Sequence, residues 1–165
     1  MSELAIEILT VDSRSGEAAG LIRALSDELA RRYDFADDGS GNFKPEGALV
    51  AGSAFVIARA AGNAVACGAF RPLEADVAEI KRMFVVPDCR GRGYSKAILN
   101  ELERLARENG YATVRLETGD RQPEAIRLYE RSGYRRIPNF GIYVENEMSV
   151  CFEKQLSTVY EHDAR

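Results

Sequence analysis

The stretch Val85–Leu99, VVPDCRGRGYSKAIL, decides how the rest of the chain is read: an apolar strand stops at a proline and a glycine-rich turn opens a helix. Val85 and Val86 close a β-branched run, and Pro87, which has no amide proton, cannot continue a hydrogen-bonded ladder. Beyond Tyr94, Ile98, Leu102 and Leu105 recur at helical spacing, so CRGRGYS falls at a helix N-terminus. Unpaired amides and the helix dipole favour an anion there, and Gly91 and Gly93 let the backbone approach it closely. The segment is a phosphate cradle. It is not a P-loop, which needs GxxxxGK before Ser or Thr, nor a dinucleotide fingerprint, which needs a third glycine where Lys96 stands. Taken alone, the loop also fits a purely structural turn between strand and helix.

Composition narrows the class around that cradle. With 165 residues and 45% hydrophobic content, the chain suits one compact domain, 1–165, with its own core. A formal charge of −4 argues against a general nucleic-acid binder, which needs a basic face. Cys67, Cys89 and Cys151 are far apart and lack CxxC spacing or a neighbouring His. Neither a disulfide framework nor a metal site is expected, and a reducing cytoplasm is the simplest location. No segment reaches the ~20 apolar residues of a membrane span, and MSELAIEILT lacks the plan of a signal peptide, so no membrane partner is expected. The tail 157–165, ending YEHDAR, is expected to fray.

Read in order, the periodicities predict a strand over 5–9 and a helix carrying Ala18, Leu21, Ile22, Leu25 and Leu29. A long irregular loop follows, YDFADDGSGNFKPEG over 33–47. Strands over 54–60, 64–73 and 79–86 form an antiparallel meander, broken by AGN and LEAD. A helix over 93–108 and a strand over 112–118 complete a strand–helix–strand unit whose strands should be parallel neighbours. A helix begins at Pro123 and is capped at Gly133, and strands over 134–137 and 149–156 close the chain. The expected fold is α/β: a central mixed sheet with helices on both faces.

Two segments carry a family resemblance. Arg90, Gly93 and Ser95 are similar to the coenzyme A loop of the GCN5-related N-acetyltransferases (the GNAT family), written as Gln or Arg, two residues, Gly, one residue, Gly or Ala; Ser95 departs at the last position but is small. Further on, AIRLYERSGYRRI over 125–137 resembles the family's helix and strand, A, two residues, LYE, two residues, GF or GY. The element order also matches that acyltransferase fold. The resemblance covers most of the chain, although the first strands and the loop over 33–47 carry no signature.

The resemblance implies acetyl-CoA as cosubstrate, with no metal. Amides of Gly91, Arg92, Gly93, Tyr94, Ser95 and Lys96 would meet the pyrophosphate, and Met83, Phe84 and Val85 would flank the pantetheine arm where two parallel strands separate. Arg90 and Arg92 either add charge to the phosphates or are simply solvated. Tyr129 resembles the tyrosine that gives a proton to the departing sulfur, with packing on the sheet as its alternative. Glu79 lies at the offset of the family's general-base glutamate; a half-buried carboxylate there would titrate high, as a base requires, and a solvent-facing strand residue is the alternative. Glu117 is a second candidate carboxylate, and the Met83 amide a candidate oxyanion donor. The implied activity is acetyl transfer to a primary amine of a small molecule or peptide, against a non-catalytic coenzyme A-binding module. Asp34, Asp37 and Asp38, beside Tyr33 and Phe35, suggest a cationic acceptor. Whether the chain acts alone or as a homodimer is left open.

Overall fold

The computed structural model describes residues 6–33 and 50–156. The aspartates of the 33–47 loop and the 157–165 tail lie outside the described residues. Seven strands form one sheet in the order β1-β2-β3-β4-β5-β7-β6, with β1 at Ile6–Val11, β2 at Ala54–Ala60, β3 at Asn63–Glu74 and β4 at Val77–Val85. They continue with β5 at Thr113–Gly119, β6 at Arg135–Ile137 and β7 at Ser149–Gln155. The helices are α1 (Gly16–Tyr33), α2 (Tyr94–Glu108) and α3 (Pro123–Arg131). Every neighbouring pair of strands is antiparallel except β4 and β5, which are parallel and joined through α2. The expected meander, parallel unit and mixed sheet are all present.

Each face of the sheet has its own core. β2 is apolar at consecutive positions because it is covered on both sides. Val56 and Ala58 join Ile98, Leu102, Val114 and Leu116 in the cluster beneath α2 and α3. Phe55 and Ile57 join Leu21, Ile22 and Leu25 beneath α1. Side chains of this size, fully buried, each contribute roughly 1.5–3 kcal/mol through area removed from water.

The meander carries one defect with consequences for the site. Between the pairs Cys67↔Phe84 and Ala69↔Lys81, β3 supplies only Gly68 while β4 supplies Arg82 and Met83. This is a β-bulge, and Arg82 adopts φ 60° to make it. Gly68 is required by the same packing: a Cβ there would stand 2.7 Å from both Ile98 Cγ2 and Met83 Sδ. The bulge bends β4 just before the strand reaches the glycine turn.

Candidate active site

The parallel pair comes apart halfway along. Val77↔Thr113, Ala78↔Val114, Glu79↔Arg115 and Ile80↔Leu116 are in register, and no pairing follows, although β4 runs on to Val85 and β5 to Gly119. A cavity of about 820 Å³ fills the opening. Its walls are Ile80–Val85 of β4, Glu117–Gly119 of β5, Leu25, Glu28, Leu29 and Tyr33 of α1, and the inner side of α3.

At one end of the cavity lies the glycine turn. Gly91 and Gly93 adopt φ 77° and 86°, a region that favours glycine, and neither has an atom within 4 Å of where a Cβ would stand. Gly93 is the N-cap of α2 and supplies no side-chain hydrogen bond; the first intrahelical bond runs from the Ala97 amide to the Gly93 carbonyl at 3.1 Å. The amides of Tyr94, Ser95 and Lys96 are therefore helix donors without an intrahelical acceptor, facing open space. That geometry fits a pyrophosphate.

Of the ten residues expected to flank the cosubstrate, nine line this cavity, and Arg92 is the exception, exposed and off its wall. Arg90 lines it but is committed to protein partners. Its Nε donates to the Val85 carbonyl at 2.9 Å, its Nη2 to Glu28 at 2.7 Å, and its guanidinium lies over the Phe84 ring. Arg92, between the two glycines, is exposed to solvent, while Arg90, just before them, is held against β4 and α1.

At the apex of the opening stand Tyr129, Glu117 and Lys81, all in the cavity wall. Tyr129 is buried against Tyr134 and Phe152, and its hydroxyl has no hydrogen-bond partner among the described residues. Burial, with the charge of Glu117 adding to it, raises its pKa well above the ordinary tyrosine value, so it remains a protonated donor. Glu117 is pushed up to about 7 by burial and by Glu79, against the Ser149 hydroxyl, which donates to it at 3.3 Å, and Lys81. Lys81 is brought down to about 8 by burial, against the attraction of Glu79.

Glu79 departs from expectation. It is 1% exposed rather than half-buried, and it is absent from the cavity wall. Arg71 donates to Oε1 through Nε at 3.1 Å and Nη2 at 3.0 Å, and the Tyr143 hydroxyl donates to Oε2 at 2.8 Å. Tyr143 in turn accepts from Lys81 Nζ at 2.7 Å. One step inside the paired region, the carboxylate is enclosed and fully bonded; Glu117, one step beyond it, borders the cavity.

Sequence reasoning did not anticipate Lys81, Tyr143 or the fastening at the cavity mouth. There Arg32 of α1 pairs with Glu124 of α3, while the Tyr33 hydroxyl accepts from the Arg121 amide at 3.1 Å. Partners so far apart in the chain leave no periodic signal. Tyr143 alone had a marker, the aromatic run in PNFGIYVENEM.

A mixed sheet that opens between two parallel strands above an uncapped helix N-terminus, with a proton donor and a carboxylate at the apex, defines the acyltransferase class. The chain belongs to the acetyltransferase (GNAT) family, whose sequence profile matches residues 14–134. It is 38% identical over 103 residues to the IAA acetyltransferase of Azospirillum brasilense, covering 62% of this chain and 67% of that one. It is 35% identical over 89 residues to the uncharacterized N-acetyltransferase YjgM of Escherichia coli (strain K12), spanning about half of each (52% and 53%). A Klebsiella pneumoniae structure described as an acyl-CoA N-acyltransferase superposes with a TM-score of 0.78 at 31% identity, over 94% of this chain and all of that one. The yncA acetyltransferase of Salmonella typhimurium, solved with its cofactor acetyl-CoA, shares the fold at a TM-score of 0.70 and 16% identity, over 93% of this chain and 95% of that one. Among the described residues, no helix is long and apolar enough to cross a membrane.

Proposed function

We propose that this chain transfers an acetyl group from acetyl-CoA to a primary amine by direct attack in a ternary complex. One observation carries the reading: a single cavity joins the uncapped start of α2, the unpaired edge of β4, and the Tyr129 hydroxyl and Glu117 carboxylate at the apex. The α2 amides hold the pyrophosphate, and the free edge of β4 offers backbone donors and acceptors to the amides of the pantetheine arm. From Val85 back to Lys81 is four residues, roughly 13 Å at ~3.3 Å per residue, which leads from the cradle to the apex.

Transfer requires three proton and charge adjustments at that apex. Glu117 takes the proton from the attacking amine, a role suited to a carboxylate whose pKa is brought to about 7. Tyr129, kept protonated by its surroundings, gives a proton to the leaving sulfur. Backbone amides at the β4 bulge, Met83 among them, stabilise the charge that develops on the carbonyl oxygen. Glu79 holds Tyr143 and Arg71 in place from within the sheet rather than reaching the amine.

The test is release of free coenzyme A from acetyl-CoA in the presence of a panel of primary amines, beside thermal stabilisation by coenzyme A. A ligand at a hundredfold excess over its Kd stabilises the native state by about 2.7 kcal/mol. Stabilisation together with amine-dependent thiol release is expected. Stabilisation without turnover of any amine would favour a coenzyme A-binding module, and an absence of stabilisation would overturn the cradle.

A further inference from the structure

We propose that Lys81 is an internal acetyl acceptor, so that the protein acetylates its own Lys81 when acetyl-CoA is bound and no free amine occupies the chamber. The inference rests on the acetyl-transfer reading above. Its basis is position. Lys81 is the first residue of β4 beyond the last register pair, Ile80↔Leu116, and it lines the cavity. Residues in register on parallel strands share a face, so Lys81 and Glu117, each following that pair, stand on the same side of the sheet across the opening. The amine is therefore placed at the end of the β4 edge along which the thioester is led, beside the carboxylate assigned as proton acceptor.

The surroundings also keep the amine usable. Glu79 and Arg71 on β4 and β3, Arg82 on β4, Glu117 on β5 and Tyr143 from the 3-10 turn Gly141–Tyr143 are the groups facing it. Their net effect with burial leaves a lysine near 8, so that around pH 8 its free-amine form is roughly a hundredfold more abundant than that of a lysine titrating at about 10.4. The Tyr143 hydroxyl accepts from Nζ at 2.7 Å and Glu79 Oε2 stands 3.8 Å away, so both hold the nitrogen in place, and its neutral form keeps a lone pair for attack. Among the other described lysines, Lys96 lies at the cradle with Nζ 3.1 Å from Ser132 Oγ, and Lys154 is paired with Glu103 at 2.8 Å.

The step balances without a further reactant. The neutral Nζ forms a bond to the thioester carbonyl carbon and the carbon–sulfur bond breaks. The nitrogen loses a proton to Glu117 and the sulfur gains one from Tyr129, giving an amide and free coenzyme A. The amide has no basic nitrogen and carries a bulkier end, so the acetylated chain has lost a cation at the apex and part of its chamber. Acetyl-CoA without acceptor thus turns the enzyme down.

The experiment incubates the full chain with acetyl-CoA at about pH 8 without added amine, follows intact mass, and maps the label by peptide. One acetyl group is expected at Lys81, acquired at least about tenfold faster than at any other of the four lysines, with amine turnover lost in proportion. Lys81→Arg should take up no label at that position, and Gly93→Val, with the cradle spoiled, should lose the preference. Label spread evenly over the lysines, or no label on a parent chain that turns over added amines, overturns the inference and leaves the proposed function standing. Failure of both labelling and amine turnover, with coenzyme A still bound, overturns both; label at Lys81 without amine turnover supports the inference and removes the external acceptor.

Discussion

The two halves of the β4–β5 pair are built from similar residues and behave oppositely. Where Val77–Ile80 lie in register with Thr113–Leu116, Ala78, Ile80, Val114 and Leu116 are at most 2% exposed and the one carboxylate, Glu79, is held by Arg71 of β3 and by Tyr143 of the turn after β6. Where Lys81–Val85 face Glu117–Gly119 across a gap, the carboxylate and the amine are enclosed by a cavity and both titrate near neutrality. On the open side, desolvation outweighs the partners that Glu117 and Lys81 retain. In the proposed reading, the groups that act on the substrate begin one residue after the hydrogen-bonded ladder stops.

The largest expected effect lies in the open half. Glu117→Gln should lower turnover at about pH 7 by roughly a hundredfold or more, within the range of general-base catalysis. In the parent, Glu117 must be ionised to act, so the rate should rise as pH increases through about 7. That limb should disappear in the variant, whose defect should shrink at higher pH as free amine accumulates. Its stability should respond in the opposite sense. A carboxyl pKa raised by folding means that stability is lost as pH rises through about 7; Gln escapes this loss, so the variant's melting temperature should gain on the parent's between about pH 5 and 8. A pH–rate profile beside melting curves checks both, and an unchanged acidic limb would return the base to another group.

Tyr129→Phe comes next, because a thiolate is a better leaving group than an amine is a free nucleophile. A loss of roughly tenfold to a hundredfold in kcat with little change in coenzyme A affinity is expected, since the ring and its contacts with Tyr134 and Phe152 remain. Below it falls Gly93→Ala. A Cβ at φ 86° meets no atom, so the cost is backbone strain of about 1–2 kcal/mol together with a blocked close approach. Roughly tenfold weaker binding of coenzyme A should follow, measured by calorimetry, with kcat at saturation nearly unchanged. An unaltered Kd would mean that the turn is structural.

What was legible in the sequence, and what was not, follows the same boundary. Local features were readable: the stop at Pro87, the turn at Gly91 and Gly93, the helix from Pro123 to its cap at Gly133, and the strand over 54–60. These depend on residues within a turn or two of each other. The fate of the carboxylates was not readable, because Glu79 and Glu117 both stand in alternating strand contexts, VAEI and RLET. Glu79 is enclosed by Arg71 on the neighbouring strand and by Tyr143, 64 residues further along. The bulge at Arg82 was hidden for a related reason. It arises where α2 descends on Gly68, and neither residue announces the other.

The smallest catalytic effect should come from the closed half, and it is the one that tests the comparison most directly. Glu79→Gln removes the charge opposite Arg71 while keeping an oxygen and an amide near Tyr143. The lost charge-assisted hydrogen bonds cost roughly 1.5–3 kcal/mol, toward the lower end because Arg71 is 30% exposed and can recover solvation. For a chain of this size that corresponds to a fall of roughly 3–10 °C in melting temperature. Turnover measured well below that temperature should change by less than about threefold, and the rise through about pH 7 should persist, since Glu117 is untouched. A variant that melts lower yet keeps the parent's pH profile places Glu79 in the scaffold. A variant of near-normal stability that loses a hundredfold in rate together with its acidic limb would place the base inside the paired region, and the division between closed and open halves would fail at the residue that defines it.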